Sequence, residues 1–349
     1  MNFEQLVSTV QKNCHVSDAR YAGNYSMCTF LLKMREYYRW EQGYAPHAKL
    51  PHQEVGEWLQ AREKLWEELE EESFAPLRIR DQQLDPFDST EINRLLLPQR
   101  LVYSGGYGRF AKPLFFLGRL LSHETVDGFT VLVTDDEYAR DLSAPPAMTQ
   151  QRTLYIRRAA IRQMLWESYE AWSWRPQEGA MGRALAFYDL AESSEPLVAL
   201  EHMTDAVLQL VKEHEVGEAQ AGELLGPEWE EMVMEIAATR GEVVARAVRD
   251  HLADALRTLP RLLADDVPGL WHYYAANLTG MRQVLMPGFA PAYEQWRESG
   301  RTDALEAFTL RARDHWTGLA RDLLHRFRQD REAARNHLQQ VPESAIALA

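Results

Sequence analysis

Apolar residues recur at helical spacing over most of this chain, and proline and glycine cut that recurrence at short intervals. In residues 197–215, Leu200, Met203, Val207 and Leu210 fall on one stripe at about 100° per residue, the seam of a helix buried on one side. The same spacing predicts helices over 157–174, 181–192, 229–259, 290–299 and 303 to 339. Breaks are expected at Pro176, Gly226-Pro227, Pro260, Pro268-Gly269 and Pro287-Gly288. Helix after helix joined by short turns implies a C-terminal α-helical bundle over 157–340, with 341–349 as a loose tail.

Residues 1–98 read as a helical N-terminal region. A short helix covers 3–12, and Ser17 or Asp18 then caps a longer one running to Gly43. Val55, Trp58, Leu59, Leu65, Trp66 and Leu69 mark a third helix over 53–72, ending in Glu67-Glu68-Leu69-Glu70-Glu71-Glu72, which is expected to be a solvated face. From about 77 the periodicity weakens and β-branched and aromatic residues gather. Residues 114–117 and 129–134 read as paired strands joined at Asp127-Gly128, residues 153–156 add a third, and Ser143-Ala144-Pro145-Pro146 forms a rigid loop. The expected fold class is therefore mainly α, a helical bundle with a small antiparallel β element over 99–156.

The formal net charge of -14 and pI ≈ 5.3 make non-specific attraction to nucleic acid or to an anionic bilayer unfavourable. No run approaches the ~18 apolar residues of a membrane span, and Met1-Asn2-Phe3-Glu4-Gln5 lacks a basic leader, so a cytoplasmic location without membrane is expected. The two cysteines, Cys14 and Cys28, form no CxxC pair, so reduced thiols are expected. On one continuous helix they would stand roughly 20 Å apart at 1.5 Å rise per residue; Gly23 can break such a helix.

Between Cys14 and Glu41, Tyr21, Tyr25, Cys28, Leu32 and Arg35 share one helical face while Phe30, Met34 and Tyr37 occupy others, so protein is expected all round. Burial then forces Arg35 into a polar network with a carboxylate, Asp18 or Glu36. This segment, together with Gly105-Gly106-Tyr107-Gly108-Arg109-Phe110-Ala111-Lys112-Pro113, resembles an uncharacterised family of bacterial proteins over the first half of the chain. The resemblance implies a bacterial cytoplasmic protein of unknown function and carries across no activity, cofactor or site residue.

The glycine stretch has two readings. Its backbone N–H groups can wrap an anion, with Arg109 and Lys112 supplying charge, in a region (residues 100–162) holding nine Arg or Lys against six Asp or Glu. Alternatively the glycines serve a backbone turn at a strand entrance. Neither the P-loop nor the dinucleotide pattern is present.

Helical rotation carries the stripe from Leu200 on to His214 and Glu218, which can ligate a metal or act as an oriented acid/base pair if the helix continues through Gly217. The second histidine of the H-E-x-x-H motif is missing. Over 229–259, Val248, Leu252, Ala255 and Leu259 define the apolar face. Asp250 lies opposite it and Asp254 off it, both assigned to solvent or to Arg246, while His251 borders it. One centre of His214, Glu218, His251 and His272 holding a divalent transition metal is the sharp reading; hydrogen-bonded structural histidines are the plain one. Cys14 beside His15 suggests a nucleophile, but adjacent residues seldom face each other. The leading expectation is an interaction or accessory protein whose helical surfaces bind a protein partner or a second copy. A metal-dependent enzyme and a binder of a small anionic ligand are the alternatives.

Overall fold

The computed structural model describes residues 2–108, 111–191 and 194–349, and the chain divides into two compact units, Met1–Trp166 and Glu167–Ala349. The N-terminal unit begins with α1 (Phe3–Tyr21), a single helix whose first turn is closed by the Asn2 side chain accepting from Gln5 N–H. Ser17 and Asp18, expected as caps, lie inside it and are buried, because their oxygens have partners across the fold: Ser17 Oγ donates to the Pro113 carbonyl and Asp18 pairs with Lys112. The break falls instead at Ala22–Asn24, a 3₁₀ turn around Gly23, and Ser26 caps the restart. Two further helices come after it, α2 (Met27–Glu41) and α3 (His52–Leu69). A small antiparallel hairpin, β1 (Leu77–Ile79) with β2 (Gln82–Leu84), and α4 (Ser89–Leu96) come next, neither marked by the apolar period.

The central β region is larger than expected and not purely antiparallel. Strands β3 (Leu101–Tyr107), β4 (Pro113–Val126), β5 (Phe129–Arg140), β6 (Ala147–Gln150) and β7 (Thr153–Arg157) form one sheet in the order β3-β4-β5-β7-β6. Asp127 and Gly128, at φ 50° and 82°, make the tight turn between β4 and β5. The 141–146 loop carries the chain to the far edge, where β6 turns back into β7, so β7 enters beside β5 in parallel, Thr130 opposite Thr153. Register shifts between Leu117 and Ser122 bend β4. Helices predominate, but the fold is mixed α/β rather than a pure bundle.

Leu6, Val10 and Cys14 recur every four residues along α1 and pack with Tyr103, Phe115, Leu117 and Ala139 of the sheet. Full burial of each aliphatic side chain in this seam contributes about 1.5–3 kcal/mol. The Gly105-Gly106 pair is part of β3 rather than an anion-wrapping loop. A Cβ on Gly105 would stand 2.0 Å from the Pro86 carbonyl oxygen, so close approach of neighbouring backbone explains that glycine, whereas one on Gly106 would meet only the movable Gln150 side chain.

The chain passes through α5 (Arg158–Trp174) into a wholly helical C-terminal unit: α6 (Ala180–Phe187), α7 (Pro196–Leu225), α8 (Pro227–Glu235), α9 (Arg240–Ala253), α10 (Leu259–Asp265), α11 (Pro268–Asn277), α12 (Gly280–Leu285), α13 (Phe289–Ser299), α14 (Asp303–Gln329), α15 (Arg331–Gln340) and α16 (Glu343–Ile346). The α7 stripe is buried, and Trp229, Trp271, Trp316, Phe308 and Phe327 fill the core. The helix expected over 229–259 is interrupted before Arg240, and α9 joins α10 through one π turn, Asp254–Thr258. The extra residue in that turn rotates the side chains beyond it about the helix axis. Residues 341–349, expected to hang free, are docked: Val341, Ile346 and Leu348 are buried and Leu348 N–H donates to the Leu285 carbonyl.

Candidate functional site

The C-terminal unit holds the polar centre that the α7 stripe points to. Gly217 does not end α7, because a Cβ there would come within 2.5 Å of the Ala253 carbonyl oxygen; its bareness lets α7 and α9 touch. His214 therefore stays in register with α9. Its Nδ1–H donates to Asp254 Oδ1 at 2.7 Å and its Nε2–H faces Glu218 Oε1 at 3.4 Å, while Arg249 Nη2 donates to Glu218 Oε2 at 3.1 Å. Asp254 also accepts from the Tyr274 hydroxyl at 2.9 Å and from Arg282.

The charges derive from these contacts. Burial works against the His214 imidazolium, but Asp254 and Glu218 override it and hold the pKa well above the ordinary value. Burial likewise opposes the Asp254 carboxylate, and Arg282 and His214 keep it ionised far below the usual range. Glu218 is held down to about 2, against burial, by the His214 hydrogen bond and Arg249, while burial and Glu218 push Asp250 up to about 6.

Of the four residues expected to share a metal, only His214 and Glu218 touch. His251, buried on α9, donates from Nε2 to the Arg282 carbonyl at 2.9 Å and stacks on Trp316; burial and Arg282 lower its pKa to about 4. His272 Nδ1 accepts at 2.8 Å from the Tyr293 hydroxyl, whose oxygen takes two bonds from Arg183. Among the described residues no group of three or more His, Cys, Asp or Glu is arranged to hold a metal ion. Each imidazole nitrogen of His214 faces a carboxylate, Nδ1 that of Asp254 and Nε2 that of Glu218. Asp254 was placed in solvent or with Arg246 by rotation along one helix; the structure buries it, and Arg246 pairs with Glu242. α9 buries a second face as well as the expected stripe, with Ala247 and His251 on it, and Asp254 follows Ala247 by two turns on that face.

The N-terminal unit places its polar groups differently. Lys112 Nζ donates to Asp18 Oδ1 at 2.7 Å and to Ser143 Oγ at 3.1 Å, and Asp18 Oδ2 accepts from Leu142 N–H. Burial opposes the Lys112 ammonium, but Asp18 overcomes it and raises the pKa; burial pushes Asp18 up to about 6 in spite of Lys112, so both are charged at neutral pH. Arg35 Nε donates to Glu36 Oε1 at 2.7 Å, and the buried Arg39, which rotation did not single out, donates to Glu36 Oε2. Arg109, the other cation expected at an anion site, lies outside the described residues. Cys14 Sγ donates to the Phe115 carbonyl and burial pushes its thiol up, while His15 turns to Arg62 and Trp66, so the two adjacent side chains do not meet.

Beside these pairs are two openings on either side of Tyr25. A recess of about 540 Å³ is lined by Tyr21, Asn24, Tyr25, Lys33, Lys112 and Ser143 among others. A groove of about 610 Å³ runs between α2 and α3, with Phe30 and Trp66 in its wall and Met27 at its mouth. Met27 is 71% exposed and Leu31, one turn further on α2, 46%. Glu63 and Glu67 on α3 and Glu70 just past its end, at i, i+4 and i+7, line the same groove, and among the described residues their carboxylates make no ion pair or hydrogen bond. Elsewhere on α3, Arg62 is taken by Glu41, and the nearby Glu72 takes Lys12.

Comparison with known proteins places both halves of the chain in one family. Residues 5–157 match the family model described as the N-terminal domain of a family of unknown function (DUF6866), and residues 162–345 match its C-terminal domain. No curated protein and no solved structure matches.

Proposed function

We propose that this chain, which belongs to the DUF6866 family of unknown function, is an interaction protein whose N-terminal unit grips a basic amphipathic helix of a partner protein in the groove between α2 and α3. The observation that carries this reading is the row of carboxylates, Glu63, Glu67 and Glu70, unpaired among the described residues and set beside an apolar trough. Monomeric surfaces seldom leave large apolar side chains contiguous, and Met27 stands exposed at the groove with Phe30 and Trp66 in its wall, while Leu31 is exposed one turn further along α2. A helix laid in such a groove inserts apolar side chains at i, i+3 and i+4, and cations at the same period on its flank meet the glutamates. Charge complementarity selects this occupant over a second copy, whose net -14 would oppose it.

The test is fluorescence anisotropy of a labelled model helix built from Leu and Lys, titrated with the full chain. Binding should weaken about tenfold or more in the Glu63→Gln, Glu67→Gln, Glu70→Gln variant and fall with added salt. A control with the same charge removed elsewhere, Asp314→Asn, Asp322→Asn, Glu332→Gln on α14 and α15, should bind as the parent does. Equal weakening in both variants would reduce the effect to total charge and reject the groove.

A further inference from the structure

The recess on the other side of Tyr25 has a composition of its own. Its polar lining consists of the Lys33 and Lys112 ammonium groups, the Tyr21 and Tyr25 hydroxyls, the Asn24 amide and Ser143; among the described residues no carboxylate lines it. The remaining wall, Leu114, Pro145, Ala147 and Met148, is apolar apart from its backbone. The donors are held in place. The Tyr25 hydroxyl is bonded to Ser143 Oγ at 2.8 Å, and Lys33 and Lys112 both lie over the Tyr25 ring, at 5.6 and 5.8 Å from its centroid. Lys33 Nζ donates to the Ser143 carbonyl at 3.3 Å.

Donor capacity is left over. An ammonium group has three N–H bonds, and Lys112 uses two, on Asp18 and Ser143. Among the described residues the Tyr21 hydroxyl and the Asn24 amide make no hydrogen bond. Lys112 is 6% exposed and lines the recess, where a charge-assisted bond is stronger than in open solvent. Asp18 and Asp141, which offset charge nearby, do not line the recess, so every described charged group that meets an occupant is a cation.

We propose that this recess is a binding site for a small monocarboxylate with an apolar body, the carboxylate held by Lys112, Lys33 and the donors of Tyr21 and Asn24, the body against Leu114 and Met148. The volume falls within the usual range for small-molecule sites, about 300–1,000 Å³. The two ammonium groups, Lys112 shared with Asp18 and Lys33 bonded to the Ser143 carbonyl, give the recess a cationic side, and the apolar wall suits a hydrocarbon or aromatic body better than a bare phosphate. This site stands on observations separate from the helix groove, and the two can fail separately.

Isothermal titration calorimetry on the full chain tests it with three probes, benzoate, its neutral counterpart benzamide, and inorganic phosphate. Benzoate should bind, with benzamide and phosphate each about tenfold weaker or worse. Lys33→Met, at a half-buried position, and the surface pair Tyr21→Phe with Asn24→Leu should each weaken benzoate about tenfold while leaving the urea midpoint in place. The glutamate triple variant of the groove should keep the parent affinity for benzoate. Equal binding of benzoate and benzamide, preference for phosphate, indifference to both variants, or no benzoate binding up to about 20 mM would each overturn the proposal.

Discussion

Both units bury charge, and they do so with opposite consequences. In the C-terminal unit Asp254 collects three donors and His214 meets a carboxylate with each nitrogen, while Arg249 Nε, Arg282 Nε and His251 Nδ1 are buried without a hydrogen-bond partner among the described residues. In the N-terminal unit Asp18 and Lys112 pair beside a recess that Lys112 lines, and the ammonium uses two of its three N–H bonds. A cluster of titratable residues on an inward helical face is therefore not by itself chemistry. Leftover hydrogen-bonding capacity next to space is the more telling sign, and the recess beside Lys112 offers it.

The contrast between the units shows most strongly when one partner is removed from each network. Lys112→Met strands the buried Asp18 and should lower stability by about 3–5 kcal/mol in urea denaturation; Asp254→Asn leaves the part-exposed Arg282 and His214 without their carboxylate and should cost less, about 1–3 kcal/mol. The double variant Asp18→Leu with Lys112→Met should recover more than half of the single loss, since a simple pair can be exchanged for apolar side chains. Asp254→Asn with His214→Gln should recover little, because Arg282 remains unmatched. Similar recovery in both units would erase the distinction between a simple pair and a carboxylate shared among several donors.

Acid titration separates the units next. Burial and Arg62 hold His15 neutral, its pKa lowered to about 3, so the unfolded chain binds the proton first and stability falls as pH drops from 6.5 toward that value. Asp18, raised to about 6, acts in the opposite sense, with stability lost as pH rises from 3.8 to about 6. His214, raised, contributes stability that is whole below 6.5 and fades only as pH rises through its folded value; Asp254, lowered, contributes above 3.8 and is lost in stronger acid. Replacing His15 by Gln should therefore flatten the acid limb between pH 6.5 and 3 by on the order of a few kcal/mol, measured as the urea midpoint against pH. An unchanged limb would mean that His15 is not held neutral in the fold.

Two substitutions should act more weakly. Gly217→Ala, which drives a methyl against the Ala253 carbonyl, should cost about 1–3 kcal/mol by pushing α7 from α9. The glutamate triple variant should leave stability within about 0.5 kcal/mol, since those exposed carboxylates hold nothing in the unbound fold. Urea denaturation reads both, and a loss in the glutamate variant as large as that of Gly217→Ala would give the α3 face a structural role.

Much of the helical frame was legible because its apolar period is long and its breaks are proline and glycine; the α7 stripe and the β4–β5 turn at Asp127-Gly128 are cases where local chemistry decides. Strand β3 was hidden because its glycines read as a turn when Gly105 serves close packing, and β1, β2 and α4 are too short for a period to register. Asp254 was misplaced because α9 buries a second face, that of Ala247 and His251, beside the apolar stripe that rotation picked out. The Arg35–Glu36 contact is local, whereas Lys112 and Asp18 meet across 94 positions, a partnership no spacing rule reaches. Glu67 and Glu70 were visible in the acidic run read as a solvated face, Glu63 was not singled out, and their meaning depended on the trough that α2 places beside them.

Whether the N-terminal unit carries the recognition surface is read most simply by amide hydrogen exchange of the full chain with and without the Leu/Lys model helix. Exchange should slow in α2 and α3 and nowhere else. Protection of α7 and α9 instead, or none anywhere at saturating peptide, would refute the assignment.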